Sequence, residues 1–567
     1  MSFDPITFQV LWSRVVSVAD EVAATLVKTA FSHVVRDNHD YSCGLYDAEG
    51  RMLAQSTQCT PGQIGAMPRV MKDFLARYPA ETLAPGDVLI TNDPWFGSGH
   101  TPDVFLAAPI FRRDRLVGFA VNSAHHIDFG GRLSAPDARD VYEEGLIIPI
   151  TKLASAGTPN RDLLELIARN VRMPDKVIGD LRAQMAADWV GARRLVELMD
   201  ERGLESLGDL SVQIMDHTEA SMRAAIAEAP DGAYENAVTL ERPDPDGRPI
   251  RIVARVEIAG DRVHVDFTGT TGQVDLPINA VTNITYAYTV FPIKCALHPH
   301  IPANEGCFRP VTMTVPEGTC LNPRYPAAVR FRTSLVYYVV EVIFGALARA
   351  IPDRVMAPSG TYPLWLGNFA GRFDDGRPFV LHFNAQGGTG ARRDRDGVST
   401  LVFPPNVANT PIELLEVEAP LLCERKALVP DSGGPGRQRG GLGQEVVIRN
   451  VAAQPVLASV IGGRFHDGAP GLAGGGPGGT GILAVNEGEP LGRNAQVLLK
   501  TGDAVRMRFP GGGGFGDPRA RDPGLVAADV RRGLVSVARA AEDYGVALGA
   551  SLEVDGAATA RLRAGRR

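Results

Sequence analysis

Histidine and aspartate concentrate in two short stretches, 92–103 and 122–131, and each follows an apolar run. The side chains concerned are His100 and Asp103, then His125, His126 and Asp128. Imidazole and carboxylate are the groups that hold hydrolytic divalent metals. Prolines and glycines between 94 and 102 rule out a helix, so His100 and Asp103 must converge through a tight loop. The pattern predicts a metal site made by two loops on a rigid strand scaffold.

The two clusters also have an ordinary structural explanation, which the residue types leave open. His125 and His126 could be core residues bonded to the backbone, and Asp103 or Asp128 could cap turns. A third polar group, at 37–40, is by itself typical of a solvated loop. Five candidate ligands in two loops, with an apolar strand between them, exceed what a chance arrangement usually gives.

Glu143 and Glu144 precede an apolar run that ends at Pro149. Surface charge is the ordinary explanation for such a pair. Because a carboxyl group close to a metal site can transfer protons, Glu144 is a candidate acid or base.

Hydrophobic periodicity predicts where helices and strands alternate. The segments whose apolar residues recur at three- and four-residue steps are 4–33, 160–227, 281–297, 334–350 and 523–532. These segments are predicted to be helical. Glycine and proline in 59–67 predict a loop there, followed by a helix to about Tyr78. Shorter alternating runs between turn residues, including a hairpin over 36–55, predict strands.

These segments predict an α+β, multidomain fold. The regions are an N-terminal helix with the strand-rich metal-site region (1–155), a helical insertion (156–230), an α/β region (231–350) and a β-rich, glycine-rich C-terminal region (351–567). Evenly spaced short strands and glycine turns predict a sandwich or barrel in the last region. A length of 567 residues suggests two to four domains.

Composition excludes several classes of protein. A formal charge of −7 argues against a general nucleic-acid binder. The six cysteines are scattered without a CxxC spacing, which argues against a zinc knuckle or a disulfide framework. The N-terminus lacks a signal-peptide pattern, and no apolar run is long enough to span a bilayer. We therefore expect a cytoplasmic protein that binds neither nucleic acid nor membrane.

Other catalytic motifs are weak or missing from the sequence. Gly511 to Gly516 formally fit GxGxxG, but the prolines and aspartates of 517–523 prevent the helix that a dinucleotide loop needs. There is no GxxxxGK[ST], so any ATP would be bound by another chain. Cys43 and Cys59 have no evident base partner, and a GxSxG elbow is missing.

Motifs along nearly the whole chain resemble the hydantoinase B/oxoprolinase family. They lie at 40–47, 92–94, 100–103, 125–131, 144–145, 170–174, 179–181, 266–269, 304–310 and 510–518. The family contains B subunits of ATP-dependent N-methylhydantoinases and lactamases, the second half of 5-oxoprolinases, and subunits of acetone and acetophenone carboxylases. One departure is Gln63, which stands where members often have a histidine, so acid–base chemistry by that loop is in doubt.

The resemblance implies a two-component enzyme, and therefore a hetero-oligomer. A partner A subunit of the actin-like ATPase superfamily would use ATP to phosphorylate the substrate carbonyl oxygen. The B subunit would then act with a divalent metal: zinc, manganese or iron. Family ligand positions match Asp40, His100, Asp103 and His125. His126 and Asp128 would then orient ligands or substrate.

The expected activity is metal-dependent hydrolysis of a cyclic amide, such as a hydantoin, 5-oxoproline or lactam. The metal would lower the pKa of a bound water to about 7, and Asp128 or Glu144 could move the proton. The catalytic candidates are thus His126, Asp128 and Glu144. One alternative is a subunit of an ATP-dependent ketone carboxylase of the acetone or acetophenone type. Another is a non-catalytic structural subunit.

Overall fold

The computed structural model describes residues 3–133, 135–241, 245–491 and 494–565. The chain forms two compact units. The first comprises 1–238, 244–346 and 405–408, and the second comprises 239–243, 347–404 and 409–567. The division into four sequence regions stays a prediction. None of the helices in the described ranges combines the length and apolar character that crossing a membrane requires.

Most of the longer helices fall within the predicted periodic segments, whereas several short helices lie outside them. In chain order they are α1 (Pro5–Thr29), α2 (His33–Arg36), α3 (Pro61–Arg77), α4 (Arg161–Asn170), α5 (Pro174–Arg202), α6 (Gly208–Ala227), α7 (Thr282–Leu297), α8 (Glu305–Phe308), α9 (Thr333–Leu347), α10 (Ile412–Glu418), α11 (Pro523–Arg531), α12 (Val537–Glu542) and α13 (Gly556–Ala564).

The strands carry most of the remaining regular structure. They are β1 (Tyr41–Asp47), β2 (Met52–Gln55), β3 (Val88–Thr91), β4 (Asp103–Arg112), β5 (Arg115–His125), β6 (Thr151–Ser155), β7 (Thr158–Pro159), β8 (Gly232–Thr239), β9 (Arg251–Ala259), β10 (Arg262–Asp266), β11 (Val311–Thr314), β12 (Leu366–Arg372), β13 (Pro378–Asn384), β14 (Leu421–Leu428), β15 (Gln444–Asn450), β16 (Val456–Ile461), β17 (Ile482–Val485), β18 (Asn494–Leu499) and β19 (Ala504–Arg508).

An antiparallel sheet with the order β2-β1-β5-β4-β3-β6-β7 organises the first unit. In its centre, β5 pairs with β4 on one side and β1 on the other. Asp103 lies opposite His125, and Tyr41 lies opposite Ala124. The start of β1, the end of β5 and the start of β4 therefore meet at one edge of the sheet.

Helices cover both faces of this sheet, so alternate strand residues enter two different cores. Side chains of α3 such as Met67 and Phe74 pack with Phe105 and Phe119 on one face. On the other face, α1 and α5 pack against a second cluster of strand residues that includes Cys43 and Ala124. Full burial of each large apolar side chain contributes about 1.5–3 kcal/mol, which holds the strand register in place.

Helix α1 begins as predicted but ends earlier than the periodicity suggests. The Asp4 side chain accepts hydrogen bonds from the backbone nitrogens of Ile6 and Thr7 and thus caps the helix. The prediction of a helix to His33 is wrong, because α1 ends at Thr29. Asp180 Oδ1 accepts hydrogen bonds from the backbone nitrogens of Phe31 and Ser32, at distances of 2.7 and 3.0 Å. These bonds hold the chain after Thr29 out of the helix.

The predicted loop at 59–67 is also wrong, because α3 begins at Pro61 and includes the glycines. A Cβ atom on Gly65 would lie 2.6 Å from Ala287 Cβ, and one on Gly62 would lie 2.8 Å from Ile284 Cδ1. These glycines therefore allow α3 to approach α7 closely, rather than forming a turn. The result places Gln63 on a buried helical turn.

The second unit contains two antiparallel four-stranded sheets within its described residues, ordered β13-β12-β16-β18 and β14-β15-β19-β17. Both contribute to one core, which includes Phe369 and Phe383 from the first sheet and Ile448 and Met507 from the second. The α+β fold with several sheets is confirmed, whereas the sandwich or barrel label stays a prediction.

Extended glycine segments pack backbone to backbone beside these sheets. Gly512 donates to the carbonyl of Gly441 (2.9 Å) and accepts from the backbone nitrogen of Gly434 (2.8 Å). A Cβ on Gly512 would overlap the carbonyl oxygen of Thr389. The GxGxxG match at 511–516 is thus part of a tightly packed structural element.

We predict that Gly512→Ala destabilises the second unit, because the added methyl group must displace neighbouring backbone. Overpacking of this kind costs about 1–3 kcal/mol. Thermal unfolding followed by circular dichroism should show a lower midpoint. The matched control is Gly556→Ala, where the added atom meets nothing within 4 Å. Equal midpoints for the two variants would contradict the packing described above.

Candidate metal centre

The edge of the first sheet brings three distant parts of the sequence together. Asp40 directly precedes β1, Asp103 opens β4 and His125 closes β5. Two backbone hydrogen bonds tie the segments: His125 N donates to Asp40 O at 3.0 Å, and His126 N donates to Pro102 O at 2.8 Å. The positions of these side chains are thus set by strand pairing.

The proposed ligand side chains converge at this edge. His100 Nε2 lies 3.0 Å from Asp103 Oδ2, and His125 Nδ1 lies 3.1 Å from Asp103 Oδ1. One ligand atom from each of these three residues lies within 4.8 Å of the others. Asp40 joins the cluster through its Oδ2, which is 3.8 Å from His125 Nδ1.

The donor set fits a divalent cation. His100 Nε2 is buried and makes no hydrogen bond within the described part of the chain, despite its proximity to Asp103. Two nitrogen and two carboxylate donors are the groups that zinc, manganese and iron accept. A lone pair left without a proton donor at a buried site is what a metal ligand requires.

Electrostatics favours the protonation states that metal binding needs. Burial and the nearby Arg332 together lower the pKa of His100 to about 3, although Asp103 opposes the shift, so the imidazole is neutral at pH 7. Burial alone would raise the pKa of Asp103, but His100, His125 and Arg332 together hold it well below its usual range. Burial raises the pKa of Asp40 to about 6, which still leaves it largely ionised at neutral pH.

Gln63 lies inside the cluster. Its Nε2 donates to Asp40 Oδ1 and to Asp103 Oδ1, both at 3.1 Å. One amide group therefore holds the two carboxylates together, and its Oε1 is buried without a hydrogen-bond partner among the described residues. The sequence identified Gln63 only as a departure from the family pattern and gave no sign of this contact.

Arg332 and Ser98 also contact Asp103, and sequence reasoning missed both. Arg332 Nη2 lies 3.1 Å from Asp103 Oδ2, its Nε donates to Ser98 O, and Ser98 Oγ donates to the same Asp103 oxygen. Arg332 is 5% exposed. It lies 229 positions from Asp103 in the sequence, and no local motif marks it.

His126 faces helix α5. Its Nε2 lies 2.9 Å from Gln184 Oε1. Gln184 Nε2 in turn donates to Val104 O in β4 (2.9 Å) and to Asn122 Oδ1 in β5 (2.8 Å). His126 and Gln184 thus link the two ligand-bearing strands to the helix behind them, and a catalytic role for His126 stays a prediction.

Asp128 is held by the segment after α4. It accepts hydrogen bonds from the backbone nitrogens of Gly130 and Arg172, and Arg172 Nη1 lies 2.8 Å from its Oδ1. These three bonds occupy both carboxylate oxygens. Asp128 therefore holds its loop to the segment after α4, and a catalytic role for it stays a prediction.

Glu144 is buried, being 1% exposed. Its Oε1 accepts from the backbone nitrogens of Val329 and Arg330, each at 2.8 Å, whereas Oε2 has no hydrogen-bond partner in the part of the chain that is described. Burial raises the pKa of Glu144 to about 7, although both backbone donors oppose the shift. A carboxyl group in this state can exchange a proton near neutral pH.

Comparison with known proteins identifies the family. The profile described as Hydantoinase B/oxoprolinase matches residues 4–518. The chain belongs to the hydantoinase B/oxoprolinase family. The resemblance inferred from the sequence motifs is confirmed.

Relatives of this family member match along its whole length. Caprolactamase subunit beta of Pseudomonas jessenii is 33% identical over 591 residues, which cover 99% of each chain. The crystal structure of ATP-dependent caprolactamase from Pseudomonas jessenii has a TM-score of 0.91 at 30% identity and covers 100% of both chains. Nucleotide-free acetone carboxylase has a TM-score of 0.89 at 23% identity, covering 99% of this chain and 83% of the other. The last similarity shows the fold alone.

We predict that Glu144→Gln changes the pH dependence of stability. Since the folded-state pKa of Glu144 is raised, its stabilising contribution is complete below the usual value of about 4.5 and is lost as pH rises through about 7. The neutral variant should gain stability relative to wild type between about pH 5 and about pH 8, by about 3 kcal/mol at most. Urea unfolding of both chelator-treated proteins measures the difference.

The neighbouring Glu143→Gln variant is the control for this experiment. Hydrogen bonds from Arg139 N and the Arg132 side chain lower the pKa of Glu143, so its loss should become more harmful, not less, as pH rises. Parallel stability curves for wild type and Glu144→Gln would contradict the raised pKa.

Proposed function

We propose that this chain is the metal-binding B subunit of an ATP-dependent cyclic amide hydrolase. The observation that carries the proposal is the convergence of Asp40, His100, Asp103 and His125, all buried or half-buried, at one sheet edge. Membership in the family and full-length similarity to an ATP-dependent caprolactamase support the same reaction class.

His100, His125, Asp103 and Asp40 would hold a zinc, manganese or iron ion. When bound, such an ion supplies a nucleophile at neutral pH by lowering the pKa of water to about 7. Arg332, Ser98 and Gln63 keep the two carboxylates in position by direct hydrogen bonds. Ligands held in this way are better organised for catalysis.

An ordinary amide carbonyl is a poor electrophile, which explains why ATP is needed. Phosphorylation of the carbonyl oxygen converts that oxygen into a leaving group. This chain has no phosphate-cradling motif, so the proposal includes an A-type ATPase partner that performs the phosphorylation. Attack of one water on the activated carbon, followed by cleavage of the C–N bond, would open the ring and leave an acyl phosphate. A second water would hydrolyse this acyl phosphate to the carboxylate and inorganic phosphate.

Glu144 is the residue to which we assign proton transfer. Its free Oε2 and a pKa of about 7 allow it to accept or donate a proton at neutral pH. We assign Asp128 and His126 to positioning, because their hydrogen bonds run to Arg172 and Gln184.

A cleft of about 460 Å³ provides space for a small substrate within the first unit. Its lining comprises Gly130, Gly131, Tyr142, Gly145, Leu146, Ile147, Asn170 and Tyr325. The volume lies in the range of small-molecule sites. Gly145 lines the cleft and adjoins Thr101, which lies between His100 and Asp103. A Cβ atom added at Gly145 would lie 3.3 Å from Thr101 Oγ1.

We predict that His100→Ala and Asp103→Ala each remove bound metal and cyclic amide turnover. The reason is that each change deletes a ligand atom from the cluster, while the strands keep their apolar cores. Metal content is measured by elemental analysis, and turnover is measured in the presence of the proposed ATPase partner. His300→Ala, at an exposed turn, is the matched histidine control and should retain both.

Full turnover by a variant that holds no metal would refute the proposal. The products decide the reaction class. Release of an amino acid or N-carbamoyl amino acid supports the hydrolase, whereas bicarbonate-dependent ATP consumption with a ketone would point to a carboxylase instead.

A further inference from the structure

Arg330 and Arg332, which lie close together in the sequence, both contact the loop that carries His100 and Asp103. Arg330 Nη1 lies 3.4 Å from Thr101 Oγ1 and 3.0 Å from the backbone oxygen of Glu144. Arg332 contacts Asp103 through Nη2, as described above. Both guanidinium groups therefore lie along the loop that carries His100 and Asp103.

The positions of these arginines are tightly determined. Glu144 Oε1 accepts hydrogen bonds from the backbone nitrogens of Val329 and Arg330. These bonds fix the backbone from which the Arg330 side chain extends. Arg332 is anchored by Ser98 and Asp103. Long cationic side chains on the surface rarely receive such support, because most of them are free to move in solvent.

The charges of the candidate ligands, of a divalent ion and of the neighbouring side chains sum to a net positive charge. The ionised Asp40 and Asp103 balance the two charges of the ion. Asp128 is paired with Arg172. Arg332 contacts Asp103, and Asp128 also acts on Arg330, but both carboxylates are already counted. Glu144 is then the counter-charge left among the residues described above, and burial keeps it partly protonated at neutral pH. One to two positive charges therefore remain in a low-dielectric region, where an uncompensated charge is costly.

The guanidinium of Arg330 retains donors for an anion. Its side-chain hydrogen bonds to the described residues run from Nη1 alone. The residue is half-buried, and its Nε and Nη2 donate no hydrogen bond to the described residues. The planar guanidinium group donates two parallel hydrogen bonds to phosphate oxygens, which an ammonium group cannot match.

We propose that Arg330, assisted by Arg332, binds the phosphoryl group of the activated substrate beside the metal cluster. The inference rests on the proposed function, because that function supplies a substrate bearing a dianionic phosphoryl group. The surplus positive charge is opposite in sign to the charge of this ligand and similar to it in size. The same contacts would hold inorganic phosphate after ring opening.

The test is isothermal titration of inorganic phosphate into the full chain, with and without one equivalent of Mn²⁺. Wild type should bind phosphate more tightly with the ion. Arg330→Gln should raise the phosphate Kd about tenfold or more, as expected for a lost charge-assisted hydrogen bond. Bound manganese should stay at the wild-type level, since the side-chain hydrogen bonds of Arg330 to the described residues run to Thr101 and to the backbone of Glu144, not to a candidate ligand.

Two further variants make the result specific. Arg324→Gln is the matched control, because this exposed arginine lies on the same segment and pairs with Glu317. It should leave the phosphate Kd unchanged. Arg330→Lys keeps the charge and should bind phosphate with an affinity between those of wild type and Arg330→Gln, even if the glutamine variant folds poorly.

The outcomes separate this inference from the proposed function. Phosphate binding that is absent in wild type, or unchanged in Arg330→Gln, would overturn the anion site. Arg330-dependent phosphate binding by a chain that neither holds manganese nor supports amide hydrolysis would preserve the anion site and reject the hydrolase. Amide hydrolysis with phosphate binding independent of Arg330 would do the reverse.

Discussion

Antiparallel pairing of β1, β5 and β4 is the constraint on which the candidate centre depends. Because the pairing places Asp103 opposite His125 and Tyr41 opposite Ala124, side chains from three parts of the sequence meet at one edge. A register shift of one residue would turn each strand's side chains to the opposite face. The two apolar cores that hold the register therefore also hold the ligand geometry, and fold stability and site geometry are coupled.

Within that geometry, Asp103 is the central electrostatic element. Its carboxylate is almost wholly buried and accepts hydrogen bonds from Ser98, Gln63 and Arg332. It also lies next to the imidazoles of His100 and His125. A carboxylate removed from water is stable only when it is paired and hydrogen-bonded. The surrounding donors offset that cost before any ion arrives. The candidate ligands are thus already held in position by hydrogen bonds within the protein.

Periodicity and turn chemistry predicted most helices of the first unit and the hairpin that follows Asp40, because those features are local. Local information failed where distant contacts decide the outcome. Asp180, which belongs to α5, accepts hydrogen bonds from the residues that follow α1 and so ends that helix. Gly65 lies within a helix because Ala287 of α7 packs against it too closely for a side chain. Arg332 and Gln184 act on the centre across long sequence separations, and nothing beside them in the chain indicates it. The residues around Asp40 are by themselves typical of a solvated loop. Family motifs indicate a ligand position there, and the strand pairing brings Asp40 next to His125.

The glycine segments of the second unit have a consequence for how that unit can change. Where main chains touch directly, there are no side chains to vary, so point substitution offers no gradual route to a different shape. Inserting or deleting a residue would also displace the hydrogen bonds of several neighbouring segments at once. Such a framework should be nearly invariant in length. Diversification is then left to the outer turns, which do not share these contacts.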